Sequence, residues 1–336
     1  MTNIKKIGLS ALAGALAITS AHAGAISVSG SMEISYTKGS GKHTTGNPLG
    51  QNNELTFTGS GELDNGVTVA YKNTATDTAL ANDSELVFGN ILGGTLAFQS
   101  TGSPLDGIDN KMPTAFNDAE GAVGSINDVS GANGDFGIRY TLSDVAGTGI
   151  KFDYNYVPKH GTGDATGDGG PSGDTAGAQT NKDAHDIAIT GSVPGVEGLN
   201  VGIGYSKRNY DYKTGAPNQA RHDGTAYATY AYGPVTIGYQ VGAQGDSGAA
   251  PVEYKNTYMG ISYAISDDLS VAYNNTESYK LGGITAVGLV QEWDNISLAY
   301  SMGGMTIGLS DSDCSNCSYT SGQSQDETVL NLTIAF

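Results

Sequence analysis

The chain is short of charge, and what charge it has is mostly of one sign. Of 336 residues only 15% are charged, where a soluble domain carries ~25%. Sixteen are Lys or Arg and 34 are Asp or Glu, a formal net charge of −18. That balance leaves no basic surface for nucleic acid. Two cysteines are too few for a disulfide scaffold or a four-cysteine zinc site. Nine prolines are too few for a Pro-rich disordered chain. After residue 24 no apolar run reaches the roughly eighteen residues of a transmembrane helix. Helical periodicity is nearly absent as well. In excess are glycine, at 50 residues, and tyrosine, at 19 against 7 Phe and 1 Trp.

The N-terminus reads as an export signal. Lys5 and Lys6 supply a positive region, residues 7–18 are apolar, and Ala21-His22-Ala23 is a small-x-small cleavage site. Residues 1–23 are therefore expected to be removed. Loss of two bases leaves 14 against 34 acids, a charge of −20.

Beyond residue 24, apolar and polar residues alternate strictly, the period of a strand with two unlike faces. Leu330, Leu332, Ile334 and Phe336 alternate with Asn331, Thr333 and Ala335. Val28, Met32, Ile34 and Tyr36 alternate with Ser29, Ser31, Glu33 and Ser35. The same rhythm recurs between short turns at 63–66, 90–94, 144–148, 194–199, 233–234, 265–268 and 302–304. Long polar loops separate the hairpins near 38–52, 75–83, 102–133, 158–184, 210–223, 242–253, 276–285 and 312–325. Fifteen connections imply sixteen strands, with both termini on the short-turn side. The apolar parity changes between Trp293 and Ile296, which predicts a bulge at Asp294-Asn295. Tyrosine falls on both faces near 227–232, so parity is ambiguous there.

A soluble sandwich also alternates. Three features favour a membrane barrel over it. The second face is Ser, Thr, Gly, Asn and charge, aromatics such as Tyr36, Tyr71, Phe88, Tyr156, Tyr300 and Phe336 gather near strand ends, and turn lengths alternate. The fold class is therefore all-β, a transmembrane antiparallel β-barrel over residues 24–336. Closure satisfies every backbone group within lipid, and sixteen strands leave an aqueous channel. The glycines at 202 and 204 are expected to leave room in that channel.

The first strand directly after cleavage, the sixteen-strand rhythm, the long third loop and the terminal Phe336 together resemble the general bacterial outer-membrane porins. The resemblance implies a homotrimer in the bacterial outer membrane, in contact with bilayer and outer-leaflet lipid. It implies passage of ions and small hydrophilic solutes, without cofactor or catalysis. It also implies that the third loop folds into the lumen and that Phe336 signals insertion. That loop, residues 102–133, is the longest connection and carries Asp106, Asp109, Asp118, Glu120 and Asp128 against Lys111. Inward parity selects Glu33, Glu54, Lys72, Glu85, Arg139, Lys151, Asp153, Asp186 and Arg208 as wall residues. Arg139, Lys72 and Arg208 are the bases expected opposite the acidic loop. The acid excess predicts a mild cation preference. Lys207 and Lys255 take the outward parity, for snorkelling or contact with lipid phosphate. A substrate-selective nutrient porin, and a non-channel barrel acting as anchor or adhesin, remain as alternatives.

Other chemistry finds little support. Gly245-Asp246-Ser247-Gly248 resembles a serine-protease segment but lacks its neighbours, and reads better as a loop tip. No pair of the five His has zinc-protease spacing. Asp164, Asp168 and Asp174 match no calcium motif, so the 158–184 loop reads as solvated. Cys314 and Cys317, in the last long loop, are candidates for a small disulfide ring in an oxidising compartment.

Overall fold

The computed structural model describes residues 26–41, 46–76, 79–116, 126, 128–160, 179–212, 220–245, 252–282 and 288–336. The expected signal peptide, Asp118, Glu120, the three loop aspartates 164, 168 and 174, and the tip 246–248 lie outside them.

Sixteen strands follow one another: β1 Ser27–Gly41, β2 Leu49–Glu62, β3 Thr68–Thr76, β4 Ala79–Ile91, β5 Gly94–Gln99, β6 Gly137–Leu142, β7 Ile150–Val157 and β8 Gln179–Ser192. The second half comprises β9 Leu199–Tyr212, β10 Ala220–Tyr232, β11 Val235–Gln244, β12 Val252–Ala264, β13 Leu269–Gly282, β14 Val290–Met302, β15 Met305–Ser315 and β16 Ser324–Ala335. Each pairs antiparallel with its sequence neighbours, and β1 pairs with β16, so the sheet closes into a barrel. The C-terminus is tied in by a reciprocal backbone pair between Gly30 and Phe336, 2.9 Å each way. Closure removes the sheet edges that lipid would leave unsatisfied.

Short turns follow from local chemistry. Asp64-Asn65-Gly66 closes β2 onto β3 with Gly66 at φ +81°, a conformation that favours glycine, and Asn65 Oδ1 accepts the Val67 N–H at 3.2 Å.

The apolar set faces outward and the polar set inward, the reverse of a soluble protein. Ile203 is 59% exposed on β9, while Ser206, three residues on, is 1% exposed. Ile34, Leu55, Ile237, Ile261, Ile296, Leu309 and Leu330 are exposed on the same outer surface.

Two strand details differ from the sequence reading, and the ambiguous parity of β10 is resolved. The connection placed at 75–83 is mostly strand, because β3 runs to Thr76 and β4 starts at Ala79, with a register shift between Thr74 and Thr76. No bulge interrupts β14: Asn295 pairs with Asn274, Asp294 with Asn275 and Trp293 with Thr276 in continuous register. The apparent parity change arises because Trp293 belongs to the inner set, fully buried, while Glu292 and Asp294 take the outer one. Tyr227 likewise takes the inner face of β10, and Tyr230 and Tyr232 the outer.

Candidate functional site

The segment between β5 and β6 makes the contacts that organise the interior. It opens with one 3₁₀ turn, Asp106–Ile108. Apolar side chains Leu105, Ile108, Met112, Ile126 and Val129 are buried, while Gly107, Asn110, Lys111 and Thr114 are exposed. The described part of the segment is thus amphipathic, with a single 3₁₀ turn.

Its partners lie on strands far around the barrel. Gln240 on β11 is fully buried and holds three loop backbone groups. Its Nε2 donates to Ile108 O at 3.0 Å and to Asp109 O, and its Oε1 accepts from Lys111 N at 3.0 Å. Asn274 on β13 donates to Pro113 O at 2.9 Å. Ser297 on β14 accepts from Ala115 N at 3.3 Å. On the return limb, Gln244 donates to Asp128 O, and the Tyr258 hydroxyl to Asp128 Oδ1. Asp186 on β8 accepts from Ala132 N at 3.2 Å. All of these wall residues belong to the polar inner set.

Two apolar clusters support the same path. Leu105, Ile108, Val129 and Ala188 form one, and Met112, Ile126, Tyr258, Trp293, Cys314 and Cys317 the other, with Tyr227 packed against both. Cys314 and Cys317 are joined in a disulfide. Cys314 lies in β15, one residue before its end, instead of in the loop.

The carboxyl groups of the segment have distinct surroundings. Burial and the charge of Asp186 push Asp106 up from the usual carboxylate range, against Arg139 and Lys111. Its Oδ1 accepts from Asn133 Nδ2 at 2.7 Å. Asp109 is pushed up to about 8, by burial first and then by Asp128 and Asp106. Asp128 spends its carboxylate on the wall, through Tyr258.

The wall bases are shared with acids. Asp153, 4% exposed, sits between Arg139 at 3.0 Å and Lys151 at 2.6 Å. Asp223, 2% exposed, takes Arg208 and, at 3.0 Å, Arg221. Arg139 and Arg208, the bases expected opposite the loop, are thus each part of a charge-sharing group. Asp223 and Arg221 were missed because a buried pairing across β9 and β10 has no local sequence signal. Asp186 is buried beneath the loop. Glu33, Glu54, Lys72 and Glu85 take the inner face of β1 to β4, with Lys72 and Glu85 directly paired across β3 and β4. Lys207 takes the outer face between His185 and His222, and Lys255 the outer face of β12.

A closed antiparallel barrel with an apolar outside, a polar inside and a long inner-face loop defines a membrane pore of the outer-membrane type. A family model for Gram-negative porins matches residues 8–310, and the chain belongs to that family. Comparison with curated proteins gives no match. Among solved structures it is similar to a porin refined at 1.8 Å resolution, at 13% identity and TM-score 0.65, covering 93% of this chain and 100% of that one. An anion-selective porin from Comamonas acidovorans aligns at 11% identity and TM-score 0.65 over 93% and 99% of the two chains. OmpT of Vibrio cholerae aligns at 9% identity and TM-score 0.66 over 93% and 98%. The chain is thus an outer-membrane diffusion channel.

Proposed function

We propose that the chain is a general diffusion porin, exported by a cleaved 1–23 signal and acting as a homotrimer, with a mild preference for cations. Its narrowest point lies between the loop over 100–136 and the inner face of β1 to β7. The observation that carries this reading is the row of contacts from Ile108, Lys111, Pro113 and Ala115 to Gln240, Asn274 and Ser297. They hold the loop against β11 to β14 and leave the wall of β1 to β7 across from it. Asp106, Asp109 and Lys111 belong to the aperture. Glu33, Glu54, Lys72, Glu85 and Arg139 form the facing wall, with Arg208 and Asp186 behind the loop.

The cation preference follows from how the bases are placed. Arg139 and Lys151 share Asp153, and Arg208 and Arg221 share Asp223. Each group offers about one net positive charge in place of two. The inner-face acids Glu33 and Glu54 are not part of these groups. Tyr227, on the inner face of β10, packs against both apolar clusters of the loop.

A reversal potential across a planar bilayer in a KCl gradient tests the selectivity. A sign favouring K⁺ supports the reading, and clear Cl⁻ selectivity overturns it. Cross-linking in membranes tests the trimer, for which a monomer-only pattern is the adverse result. Phe336, exposed at the barrel's end, is the proposed insertion signal; its deletion should lower outer-membrane yield without altering refolding in detergent.

A further inference from the structure

The glycines of the far wall do more than thin the barrel. Gly204 on β9, Gly238 on β11, Gly260 on β12 and Gly308 on β15 all belong to the inner set. At Gly204, Gly238 and Gly308 the space a Cβ would fill is taken by the loop, and at Gly260 by the loop together with Asn274 of the neighbouring strand. A Cβ on Gly204 would lie 2.6 Å from Ile108 Cδ1 and 2.8 Å from Leu105 Cδ1. On Gly238 it would lie 2.6 Å from Pro113 Cδ and 3.1 Å from Met112 Cε. On Gly260 it would lie 2.7 Å from Asn274 Nδ2, the amide that holds Pro113 O, and 3.0 Å from Pro113 Cδ, and on Gly308 2.6 Å from Phe116 Cε2. The reading of Gly204 as room for water is thereby corrected: apolar loop side chains occupy that room. None of the four has a positive φ, so the backbone accepts any residue there. Glycine in a strand interior commonly marks the close approach of another segment.

We propose that these four positions set the width of the pore from behind. They let the loop lie flat on the far wall, and a side chain at any of them lifts it into the lumen. The closed hydrogen-bonded wall is stiff, and the loop is held by separate side-chain contacts. The loop therefore yields first. They act as positioning residues: none of them faces the solute, and each acts through Ile108, Pro113 or Phe116. This rests on the loop being the constriction, as proposed above.

The neighbour Gly242 supplies the control. It shares the inner face of β11, yet its Cβ would meet only Asp128 Oδ1, at 3.7 Å, and two other atoms at similar distance. The experiment is single-channel conductance of refolded protein in planar bilayers, with heat-modifiable electrophoresis to show that each barrel is folded. Gly238→Ala and Gly308→Ala should lower conductance, Gly308→Leu more than Gly308→Ala, and Gly242→Ala should leave it unchanged. Phe116→Ala placed in Gly308→Ala should restore it, which a defect in the wall strand would not allow. If Gly308→Ala does not fold, Gly238→Ala and the Phe116→Ala/Gly308→Ala pair carry the test. Wild-type conductance in folded Gly238→Ala and Gly308→Ala overturns the proposal, as does a loss in Gly242→Ala of equal size. A parallel Lys111→Glu variant separates the two readings. If its selectivity is unchanged, the loop does not line the path and the constriction reading falls. If it shifts while the glycine variants conduct normally, only the positioning role of the glycines falls.

Discussion

Replacing Gln240 by Leu removes the main polar latch on the loop while keeping the volume of the side chain. Gln240 is fully buried and bonds three loop backbone groups, Ile108 O, Asp109 O and Lys111 N. At about 1 kcal/mol net for each hydrogen bond, the loss is ~3 kcal/mol of docking free energy. At 1.4 kcal/mol per tenfold, the undocked share of the loop rises ~100-fold. Hydrogen exchange by mass spectrometry on micellar protein reads this at the Lys111 amide, whose acceptor is Gln240 Oε1. The peptide containing Lys111 should exchange faster by up to that factor, while β11 peptides stay protected by their pairing with β10 and β12. Single-channel traces should gain flicker. Unchanged exchange at Lys111 together with quiet traces would refute the latch.

Further outcomes follow from the same geometry. Asp109, with its pKa at about 8, is protonated at neutral pH and ionises above it, so cation preference should strengthen between pH 7 and 9. Because the folded protein holds that proton more tightly than the unfolded chain, its contribution to stability is full below the unfolded value near 4 and is lost as pH rises through about 8. Reversal potentials and urea midpoints across that range check both statements, and Asp109→Asn should flatten both profiles. Asp153→Asn should leave Arg139 and Lys151 without their shared carboxylate and move the reversal potential toward Cl⁻. Ile261→Lys, on the exposed outer face of β12, should cost ~2–4 kcal/mol in vesicle unfolding if it lies at the bilayer midplane. A detergent-solubilised sample should show much less.

The barrel was legible because each strand carries its own period. Leu330 to Phe336 and Val28 to Tyr36 announce two faces without reference to any partner. Short turns such as Asp64-Asn65-Gly66 carry their chemistry locally, which fixed most strand boundaries. The interior was less legible, because its contacts join distant residues. Gln240 and Lys111 are 129 positions apart, and Asn274 and Pro113 are 161. Parity told that Arg139 and Arg208 face inward, yet not that Asp153 and Asp223 hold them. The bulge expected at Asp294-Asn295 assumed that apolar residues face lipid. Trp293 breaks that rule because loop residues Met112 and Ile126 and the Cys314–Cys317 disulfide give it an apolar setting inside. Gly204 could be read as empty space because the loop that fills it comes from 96 residues earlier in the chain, at Ile108.

The central claim is a water-filled path narrowed by a loop seated on the far wall. Its most direct test is the single-channel conductance of the refolded chain in a planar bilayer, measured with neutral polyethylene glycols of graded size. The account predicts long-lived ohmic steps, and a size cutoff that shifts upward when residues 107–116 are replaced by a short Gly-Ser link. Folded, membrane-inserted protein without steps would contradict it. So would a cutoff unmoved by loss of the loop.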